Sequence, residues 1–468
     1  MTVQERSESD RGVAGGSRLA VASLLGVTVL GTVCNNVISV PLRSISTDLQ
    51  ASVDAGVLAV SSFVLCLSVT MPVTGWLGDR WGMRRVLQWS LLLMLAGQCA
   101  AALAPGIGLL VAARAVQGIA CSAYPPIVMG MLVHLFPDRR LRLMAAWAAA
   151  NGIGQAIGPP VGGLVADLVG WRAIFGLMAA ASLLSLVGVV RSVPAVAGRV
   201  VPIHAAGAFT LCAGVGAILL GLVLAGVGSA GPVVVVAAVA VGVLLLAANV
   251  RLSRDRDDAF LPPRLVVETR FLRSTVAAFA QMFALGTVLV VLPLYLTGPL
   301  GLSTGVSGVL LFAMPLMMAM MAPVVGRIGG RYGPRRVLRV GLVVLAAGLV
   351  AIGVATRIGE GRGVLWAIVP LLGVCGVGIS LVQTPAAAGA TRSPAGARGT
   401  GLGFFSMMRF AGSTASSAWV ALAYAGGPLL HVIAGALAVT LVGLAVSFAG
   451  RDPEAGRLGP ADLAAGSH

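Results

Sequence analysis

Two arginines lie inside long apolar stretches of the sequence, where a charged side chain needs a physical reason. Arg114 stands in a run over residues 108–133, and Arg409 stands in a run over residues 400–424. A guanidinium in lipid costs at least ~2.5 kcal/mol, so such a residue usually faces a cavity or a partner. It cannot lose its proton in a protein and so cannot itself carry protons. It can organise water, attract an anion or lower the pKa of a nearby carboxyl.

Both arginines also have purely structural interpretations. Arg114 could be bonded to the carbonyls of neighbouring helices, and Arg409 could extend its side chain to the membrane surface. If instead both face one cavity, their positive field would favour neutral or anionic compounds and disfavour lipophilic cations.

Acidic residues are missing where a proton carrier would be expected. No Asp or Glu lies near the middle of an apolar run. A carboxylate inside the membrane is the usual site of proton exchange, so Asp54, at the start of the second run, is the first candidate for proton coupling. The alternative is that Asp54 is an acid at a helix N-terminus, where the helix dipole favours a negative charge.

Uncharged polar side chains inside the runs could line a central cavity for a small amphipathic substrate. They are Asn35, Asn36, Gln117, Tyr124, Asn151, Gln155, Gln281, Tyr295 and Gln383. The four histidines and six cysteines show no metal-ligand spacing, and the sequence contains no catalytic cluster such as His-Glu-x-x-His. We therefore expect no metal, no cofactor and no catalytic residue, and the chain is not predicted to be an enzyme.

The composition places the chain in a membrane. Of its 468 residues, 58% are hydrophobic and 10% are charged, and the mean hydropathy is +0.97. This predicts an all-α polytopic membrane protein embedded in the lipid bilayer. Runs close to the ~20 residues that a bilayer needs occur at residues 19–41, 54–74, 86–104, 108–133, 143–166, 171–190, 204–227, 231–250, 271–297, 304–325, 337–356, 364–388, 400–424 and 427–450.

The positions of the arginines predict the orientation of these spans. Counting alternate loops, most arginines fall on the side that carries both termini, and few fall on the other side. Positive charge accumulates on the cytoplasmic side, so we expect both termini to be cytoplasmic and the chain to lie in the inner (plasma) membrane. The net charge of +16 would suggest nucleic acid in a soluble protein. In this chain the positive charge is explained by arginines in loops on the cytoplasmic side, and no nucleic-acid partner is predicted.

An internal repeat divides the chain. Residues 75–85 and 326–336 both read Gly-x-x-Gly-x-Arg-aromatic-Gly-x-Arg-Arg, after the second and the tenth run. The repeat predicts two related six-helix bundles joined by a pair of extra spans. The expected divisions are a cytoplasmic tail over 1–18, bundles over 19–190 and 271–450, a linker with two membrane helices over 191–270, and a second tail over 451–468.

The first copy of the repeat resembles the cytoplasmic-loop motif of major facilitator drug exporters. The matching residues are Gly75, Gly78, Asp79, Arg80, Gly82, Arg84 and Arg85. The resemblance implies that Asp79 meets a helix N-terminus or arginines of the other half and latches the cytoplasmic gate shut. The alternative is a loop that only carries positive charge for topology. In the second copy Gly330 replaces the acid, so its latch is expected to be weaker or absent.

A glycine-rich stretch in the fifth run resembles the antiporter motif of the same family. The glycines fall on helical spacing and form a groove that another helix can enter, while proline bends the helix. The alternative is a packing face with no mechanical role. The matching residues are Gly154, Gly158, Pro159, Gly162 and Gly163.

Other parts of the chain also match the family, with one departure. The stretch around Arg114 resembles the family's fourth-helix motif, and that around Arg409 resembles the arginine-then-glycine stretch of the thirteenth helix. The extra central pair is similar to the fourteen-span drug:proton antiporter branch. In the first run, however, Thr32 and Val37 stand at the branch's Asp and Asn positions, so its usual proton-coupling carboxylate is missing.

The resemblance implies a fold and a function. The fold is the major facilitator fold, with two six-helix bundles plus two central helices, or about 14 spans. The function is secondary active export of small amphipathic compounds such as antibiotics, with protons as the coupling ion and alternating access by a monomer. One alternative is a flippase or uniporter for lipids or organic anions. A membrane-embedded enzyme, the alternative from another class, lacks the polar cluster that it would need.

Overall fold

A computed structural model describes residues 3–199, 201–202, 204–228, 231–254, 256, 258–358, 361–424 and 429–450. This part of the chain is built from helices and their connections and contains no β-strand. Long apolar helices satisfy their own backbone hydrogen bonds, which is what a chain in lipid requires. The predicted tail over 451–468 lies outside the described residues.

The N-terminal half contains eight helices, two of which form one interrupted span. They are α1 (Val3–Asn36), α2 (Leu42–Asp48), α3 (Val53–Trp81), α4 (Met83–Ala102), α5 (Ile107–Cys121), α6 (Tyr124–Leu135), α7 (Arg140–Val169) and α8 (Trp171–Ser192). Next come a central pair and a short helix, α9 (Ala205–Val227), α10 (Pro232–Ser253) and α11 (Pro263–Val266).

The C-terminal half repeats the pattern of the first. Its helices are α12 (Thr269–Thr297), α13 (Thr304–Leu311), α14 (Ala313–Tyr332), α15 (Pro334–Ile358), α16 (Leu365–Arg392), α17 (Gly399–Tyr424) and α18 (Leu429–Ser447). Each repeated motif turns the chain from the second span of its half to the third. Gly82 and Gly333 make these turns with φ of +91° and +84°, a conformation that glycine adopts without steric penalty.

Eleven helical segments of the described chain are long and apolar enough to cross a membrane. Helices α4, α7 and α17 are also long enough, but they are more polar and do not belong to the eleven. The predicted count of fourteen spans therefore depends on these three helices. Two of them are polar for a visible reason, because α7 carries Asn151 and Gln155 and α17 carries Arg409.

The two halves meet mainly through two helix pairs, α3 with α17 and α7 with α14. We call the end of the bundle where α3 finishes the Asp79 end, and the end that carries α2 the Asp48 end. A hydrophobic core runs from the N-terminal half into one end of the C-terminal half, including Phe271 and Leu402. The other end of the C-terminal half has a separate core around Met314 and Ile433. The halves therefore share a core at the Asp79 end.

The central pair lies beside this joint. Helix α10 packs on α9, and α9 contacts both α3 of the first half and α17 of the second. Gly216 of α9 faces Val69 of α3, and Gly226 of α9 faces Ala418 of α17. Helix α9 is therefore in contact with both halves beside the pair α3 and α17.

Candidate functional site

A cavity of about 90 Å³ lies between the two halves and is lined by α1, α3, α5, α6, α7, α12 and α17. One side of its lining is polar and comes mostly from the N-terminal half, and the other side is apolar and comes mostly from α12. Among the described residues, Arg409 is the only charged one in the lining. The full lining is Thr28, Gly31, Thr32, Asn35, Asn36, Leu67, Cys121, Tyr124, Pro125, Asn151, Gln155, Met282, Leu285, Gly286, Leu289, Arg409, Phe410 and Ser413.

Arg409 is buried at the middle of the membrane part of the molecule. It lies ten residues into α17, which is about 15 Å along a helix and half the thickness of a bilayer's hydrocarbon core. Its side chain is 1% exposed, and none of its three nitrogens has a hydrogen-bond partner in the described structure. Its guanidinium carbon lies 4.8 Å from the ring centre of Trp147 on α7. Arg409 is thus held by an aromatic face across the interface between the halves.

The N-terminal half contributes a polar row from α7. Asn151 donates to the carbonyl of Trp147, 2.9 Å away, and its own side-chain oxygen lies 3.4 Å from the hydroxyl of Thr32 on α1. Gln155 continues the row one turn further and also lines the cavity. Trp147, Asn151 and Gln155 are spaced by four residues, so they share one face of α7.

The cavity includes residues that sequence reasoning missed. Trp147, Thr32 and Ser413 were not among the predicted site residues, yet they lie beside or in the lining. The missed signal was helical spacing from a predicted residue, because Trp147 precedes Asn151 by four positions and Ser413 follows Arg409 by four. Two predicted residues, Asn35 and Tyr124, present buried side-chain oxygens without a hydrogen-bond partner.

Arg114 lies elsewhere, inside the N-terminal half. It is fully buried and donates to the carbonyl of Cys34 at 3.1 Å, to Gln117 Oε1 at 2.7 Å and to the carbonyl of Ala59 at 3.4 Å. Cys34 is in the last turn of α1, where carbonyls lack helical partners. Gln117 in turn donates to the carbonyl of Gly97 at 2.8 Å. Arg114 and Gln117 therefore tie four helices together and do not line the cavity.

Three other predicted residues, Gln281, Gln383 and Tyr295, lie away from the cavity lining. Gln281 and Gln383 are buried in the C-terminal half, where they form a 3.2 Å hydrogen bond with each other. Tyr295 is half-buried near the Asp48 end of α12. Asp54 belongs to the first turn of α3, but its side chain is outside the described part of the structure. No group of three potential metal-ligating side chains forms within the described residues.

The predicted gate motif lies at the joint between the halves. The Oδ2 atom of Asp79 accepts a 2.7 Å hydrogen bond from the backbone nitrogen of Gly399, the first residue of α17. A carboxylate in this place satisfies a free backbone donor and interacts favourably with the helix dipole. Gly75 and Gly399 approach so closely that a Cβ on either would overlap the other's carbonyl. Asp79 thus contacts a helix N-terminus of the other half.

The segment that follows α8 covers the same motif. The backbone nitrogen of Arg199 donates to the carbonyl of Asp79 at 2.7 Å, and its guanidinium lies 3.9 Å from the Asp79 carboxylate. Arg80 and Trp76 donate to the carbonyls of Val201 and Pro202. Arg199 was not predicted as a partner of Asp79, because its place in the linker gives no sign that it returns to the loop.

The two copies of the motif share one contact and differ in another. Arg84 donates to the carbonyl of Val190 at the end of α8, and Arg335 donates to carbonyls at the end of α18, including that of Phe448 at 3.0 Å. These arginines occupy equivalent positions and cap the last helix of each half. Where the first copy has Asp79, the second has Gly330. A Cβ added to Gly330 would contact no other atom, so this position makes no close contact comparable to that of Asp79.

The glycine groove of α7 is filled by α1 and by residues 37–40, which follow α1. Beta carbons on Gly154, Gly158 and Gly163 would meet Thr32, Asn36 and Val40 within 2.7–3.2 Å. At Gly162 the approach is closest, because a Cβ there would overlap the carbonyl of Val37. Pro159 lies within the same stretch of α7. The motif therefore sets the distance between α1 and α7, the two helices that supply most of the polar lining.

The Asp48 end carries an ion pair within the N-terminal half. Asp48 of α2 accepts hydrogen bonds from Arg172 Nη1 at 2.6 Å and from Trp171 Nε1 at 3.0 Å, both at the start of α8. The hydrogen bond from Arg172 is the main cause that holds the pKa of Asp48 below its usual range, and the bond from Trp171 is the next largest. Both charged side chains are about half exposed, at 46% and 48%, so water screens the pair.

Comparison with protein families gives one match that spans most of the chain. The sequence profile of the Major Facilitator Superfamily matches residues 22–206 and again residues 203–417. Multidrug resistance protein Stp of Mycobacterium tuberculosis is 28% identical over 388 residues, which are 81% of this chain and 70% of that protein. Methylenomycin A resistance protein of Streptomyces coelicolor is 27% identical over 395 residues, 82% of this chain and 81% of that protein.

The fold also matches a solved structure. The crystal structure of the human organic anion transporter MFSD10 (TETRAN) superposes with a TM-score of 0.69 and 16% sequence identity. The match covers 92% of this chain and 99% of that one. At this level of identity the likeness concerns the fold alone.

Proposed function

The chain belongs to the major facilitator superfamily, and from this premise we propose that it is a secondary active exporter of small amphipathic compounds, including antibiotics. Its relatives include proteins named for multidrug resistance and for methylenomycin A resistance. A cavity lined by both halves is the feature through which a transporter of this family would move its substrate.

The cavity between the halves is the observation that carries the proposal. Its polar residues come from α1, α6, α7 and α17, and its apolar residues include Leu285 and Leu289 of α12. Such a lining suits a compound with a polar group and an apolar body. The contacts of Asp79 with Gly399, and of Arg140 with the carbonyl of Thr391, join the halves at the Asp79 end. Rocking of the halves would break these contacts and open that end.

The arginine distribution supports an orientation for this cycle. The Asp79 end carries the arginine-rich loops, so we assign it to the cytoplasm, together with both termini. The conformation described here would then be closed to the cytoplasm, with the Asp79 latch formed. We assign the chain to the plasma membrane as a monomer on the same reasoning.

Protons are the coupling ion in this proposal, with Asp54 as the candidate carrier. No acidic residue is found in the cavity lining within the described part of the chain, so the proton site and the substrate site would be separate. The same observation favours a second candidate function, a uniporter or flippase for organic anions or lipids, which needs no proton carrier.

Two measurements test the proposal. An efflux-deficient bacterial host that expresses the chain should tolerate higher concentrations of amphipathic antibiotics than the host with an empty vector. The Asp79→Asn variant, at equal membrane expression, should lose much of this protection because the latch loses its charged acceptor. Inverted vesicles loaded with a pH dye should then show substrate-dependent proton movement. Protection without proton movement would favour the uniporter, and absence of protection from every compound would contradict export.

A further inference from the structure

The mid-membrane part of the structure leaves the guanidinium of Arg409 without hydrogen bonds. All three nitrogens of Arg409 lack a hydrogen-bond partner, and the side chain is 1% exposed. A guanidinium carries five N–H donors and stays charged in proteins. A buried charge is normally paired, because removing it from water is expensive. No described carboxylate pairs with Arg409, and its neighbours Trp147 and Phe410 offer only aromatic faces.

We propose that Arg409 is the binding site for the anionic group of the transported compound, and that the substrate class is amphipathic organic monoanions. This inference rests on the proposed export function and names its substrate class. The guanidinium fork matches a carboxylate, sulfonate or phosphate in bidentate geometry. The cavity that Arg409 lines is the space from which such a group would approach.

Two further unpartnered groups line the same cavity as Arg409. The hydroxyl of Tyr124 is buried and has no hydrogen-bond partner, so it can donate to an anion oxygen. The side-chain oxygen of Asn35 is also unpartnered and can accept from a hydroxyl or amide elsewhere on the compound. The apolar body would lie against Leu285, Leu289 and Met282, which line the opposite side.

The lining gives a reason for a single negative charge. Arg409 is the only charged residue that the described chain contributes to it, so one anionic group neutralises the cavity and a second would remain unpaired. A lipophilic cation finds no carboxylate there and meets the positive field of Arg409. At an effective dielectric of ~20, a like charge about 8 Å away lowers affinity roughly thirtyfold.

The position of Arg409 fits a ligand that must be released. Its aromatic neighbour Trp147 belongs to the other half, so rocking of the halves changes the surroundings of the guanidinium. A permanent partner within α17 or its own half would compete with the substrate in every state. Because Arg409 has no such partner, its N–H donors are available to bind the transported compound.

The experiment uses three compounds of nearly the same shape and different charge. The purified full chain in phosphatidylcholine nanodiscs is titrated with 2-naphthoate, its neutral amide 2-naphthamide, and the cation 2-naphthyltrimethylammonium. We expect wild type to bind 2-naphthoate at least about tenfold more tightly than 2-naphthamide, the range of one charge-assisted hydrogen bond. The cation should bind most weakly.

Variants identify the residue responsible. Arg409→Gln should remove the preference for 2-naphthoate while keeping the binding of 2-naphthamide, which also reports that the variant is folded. Arg409→Lys keeps the charge but loses the fork, so it should retain part of the preference. Arg327→Gln, at an exposed position on α14, is the matched control for loss of one positive charge and should behave as wild type.

Equal affinity of wild type for 2-naphthoate and 2-naphthamide would overturn the inference, as would a full preference in Arg409→Gln. Adding phosphatidylglycerol to the nanodiscs separates two sources of the anion. Competition with 2-naphthoate would support the anion site and identify a lipid headgroup as an occupant. If the host assay shows export of neutral compounds while the preference is absent, only this inference fails. If no compound is exported while the preference remains, the proposed export function fails and the anion site stands.

Discussion

The two arginines buried in the membrane part of this protein are held in opposite ways. Arg114 in the N-terminal half donates to two backbone carbonyls and to Gln117, all from helices of its own half. Arg409 in the C-terminal half donates to nothing in the described structure and faces Trp147 of the other half. Both side chains are almost completely buried. The same residue type therefore connects helices through hydrogen bonds in one half and has unused hydrogen-bond donors in the other.

The difference shows how a membrane protein can separate stability from binding. A guanidinium bonded to carbonyls of two neighbouring helices joins them to its own helix, and its charge is not available to a ligand. A guanidinium without partners makes no such contribution and instead imposes a desolvation cost on the folded protein. Functional sites commonly carry such costs because stability is supplied elsewhere. In this chain Arg114, whose Nε and Nη1 atoms donate hydrogen bonds, lies outside the cavity, and Arg409, which donates none, lies within its lining.

The largest effect is expected when the structural arginine is removed. Arg114→Met leaves the carbonyl of Cys34 and the amide oxygen of Gln117 buried without a donor, and each unsatisfied acceptor costs roughly 1–3 kcal/mol. We expect a loss of about 3 kcal/mol in stability and reduced yield of folded protein. The midpoint of thermal unfolding in detergent measures the loss of stability, and size-exclusion chromatography measures the yield of folded protein. A midpoint equal to that of wild type would show that the bonds of Arg114 do not stabilise the fold.

A smaller loss is expected from the partner of Arg114. Gln117→Leu removes one acceptor from the guanidinium and one donor from the carbonyl of Gly97, while Arg114 keeps its two carbonyl partners. We expect destabilisation of about 2 kcal/mol. The double variant Arg114→Met, Gln117→Leu should be less destabilised than the sum of the two single variants, because no amide oxygen is then left without a donor. Strict additivity would mean that the two residues do not act as one network.

The effect of the opposite sign is expected at Arg409. Arg409→Met removes a buried, unpaired charge and replaces it with a flexible apolar side chain of similar length. We expect the ligand-free protein to be as stable as wild type or more stable by about 1 kcal/mol. The same thermal assay, without any added anion, tests this, and Arg114→Met is the matched comparison. Destabilisation as large as that of Arg114→Met would mean that Arg409 also has a structural role.

Much of the fold could be predicted from the sequence because the membrane imposes simple rules. Apolar runs of spanning length predicted a multi-pass, all-helical membrane protein, and the repeated motifs resembled those of the major facilitator family. The helical class and the family are both confirmed. The repeat placed Gly82 and Gly333 in equivalent turns, where the structure has positive φ at both. The exact number of spans stays a prediction. Helices α7 and α17 lower their hydropathy with the polar residues that line the cavity, so composition alone does not identify them as spans.

The contrast between Arg114 and Arg409 could not be predicted, because it depends on which helices surround each residue. The sequence presents both as single arginines within apolar runs. Their neighbours Cys34, Ala59 and Trp147 lie on other helices, and no local spacing pairs them with either arginine. The alternative interpretation of Arg114, bonding to helix carbonyls, matches the observed geometry. The functional roles of the predicted site residues stay predictions.

A third arginine, Arg172, has a partner that titrates. The pH dependence of protein stability should therefore distinguish its contact from those of Arg114. Arg172 is bonded to the carboxylate of Asp48, a group that titrates, whereas the partners of Arg114 are carbonyls and an amide, which do not. The Asp48 pKa is lowered in the folded protein, chiefly by Arg172. Its ionised form therefore contributes stability that is present above the pKa of the unfolded chain, about 3.9. That stability is lost as the pH falls through the lower pKa of the folded state.

Asp48→Asn should consequently give the smallest change of the series, and one that depends on pH. We expect the thermal midpoint of wild type to exceed that of Asp48→Asn slightly at pH 7, since the pair is half exposed and screened by water and salt. The difference should persist down to about pH 4 and shrink below it, as Asp48 is protonated. The deficit of Arg114→Met should not change over the same range, because none of its partners titrates. A difference for Asp48→Asn that stays constant below pH 4 would show that the charge of Asp48 does not matter. The contact with Arg172 would then be equivalent to the neutral hydrogen bonds of Arg114.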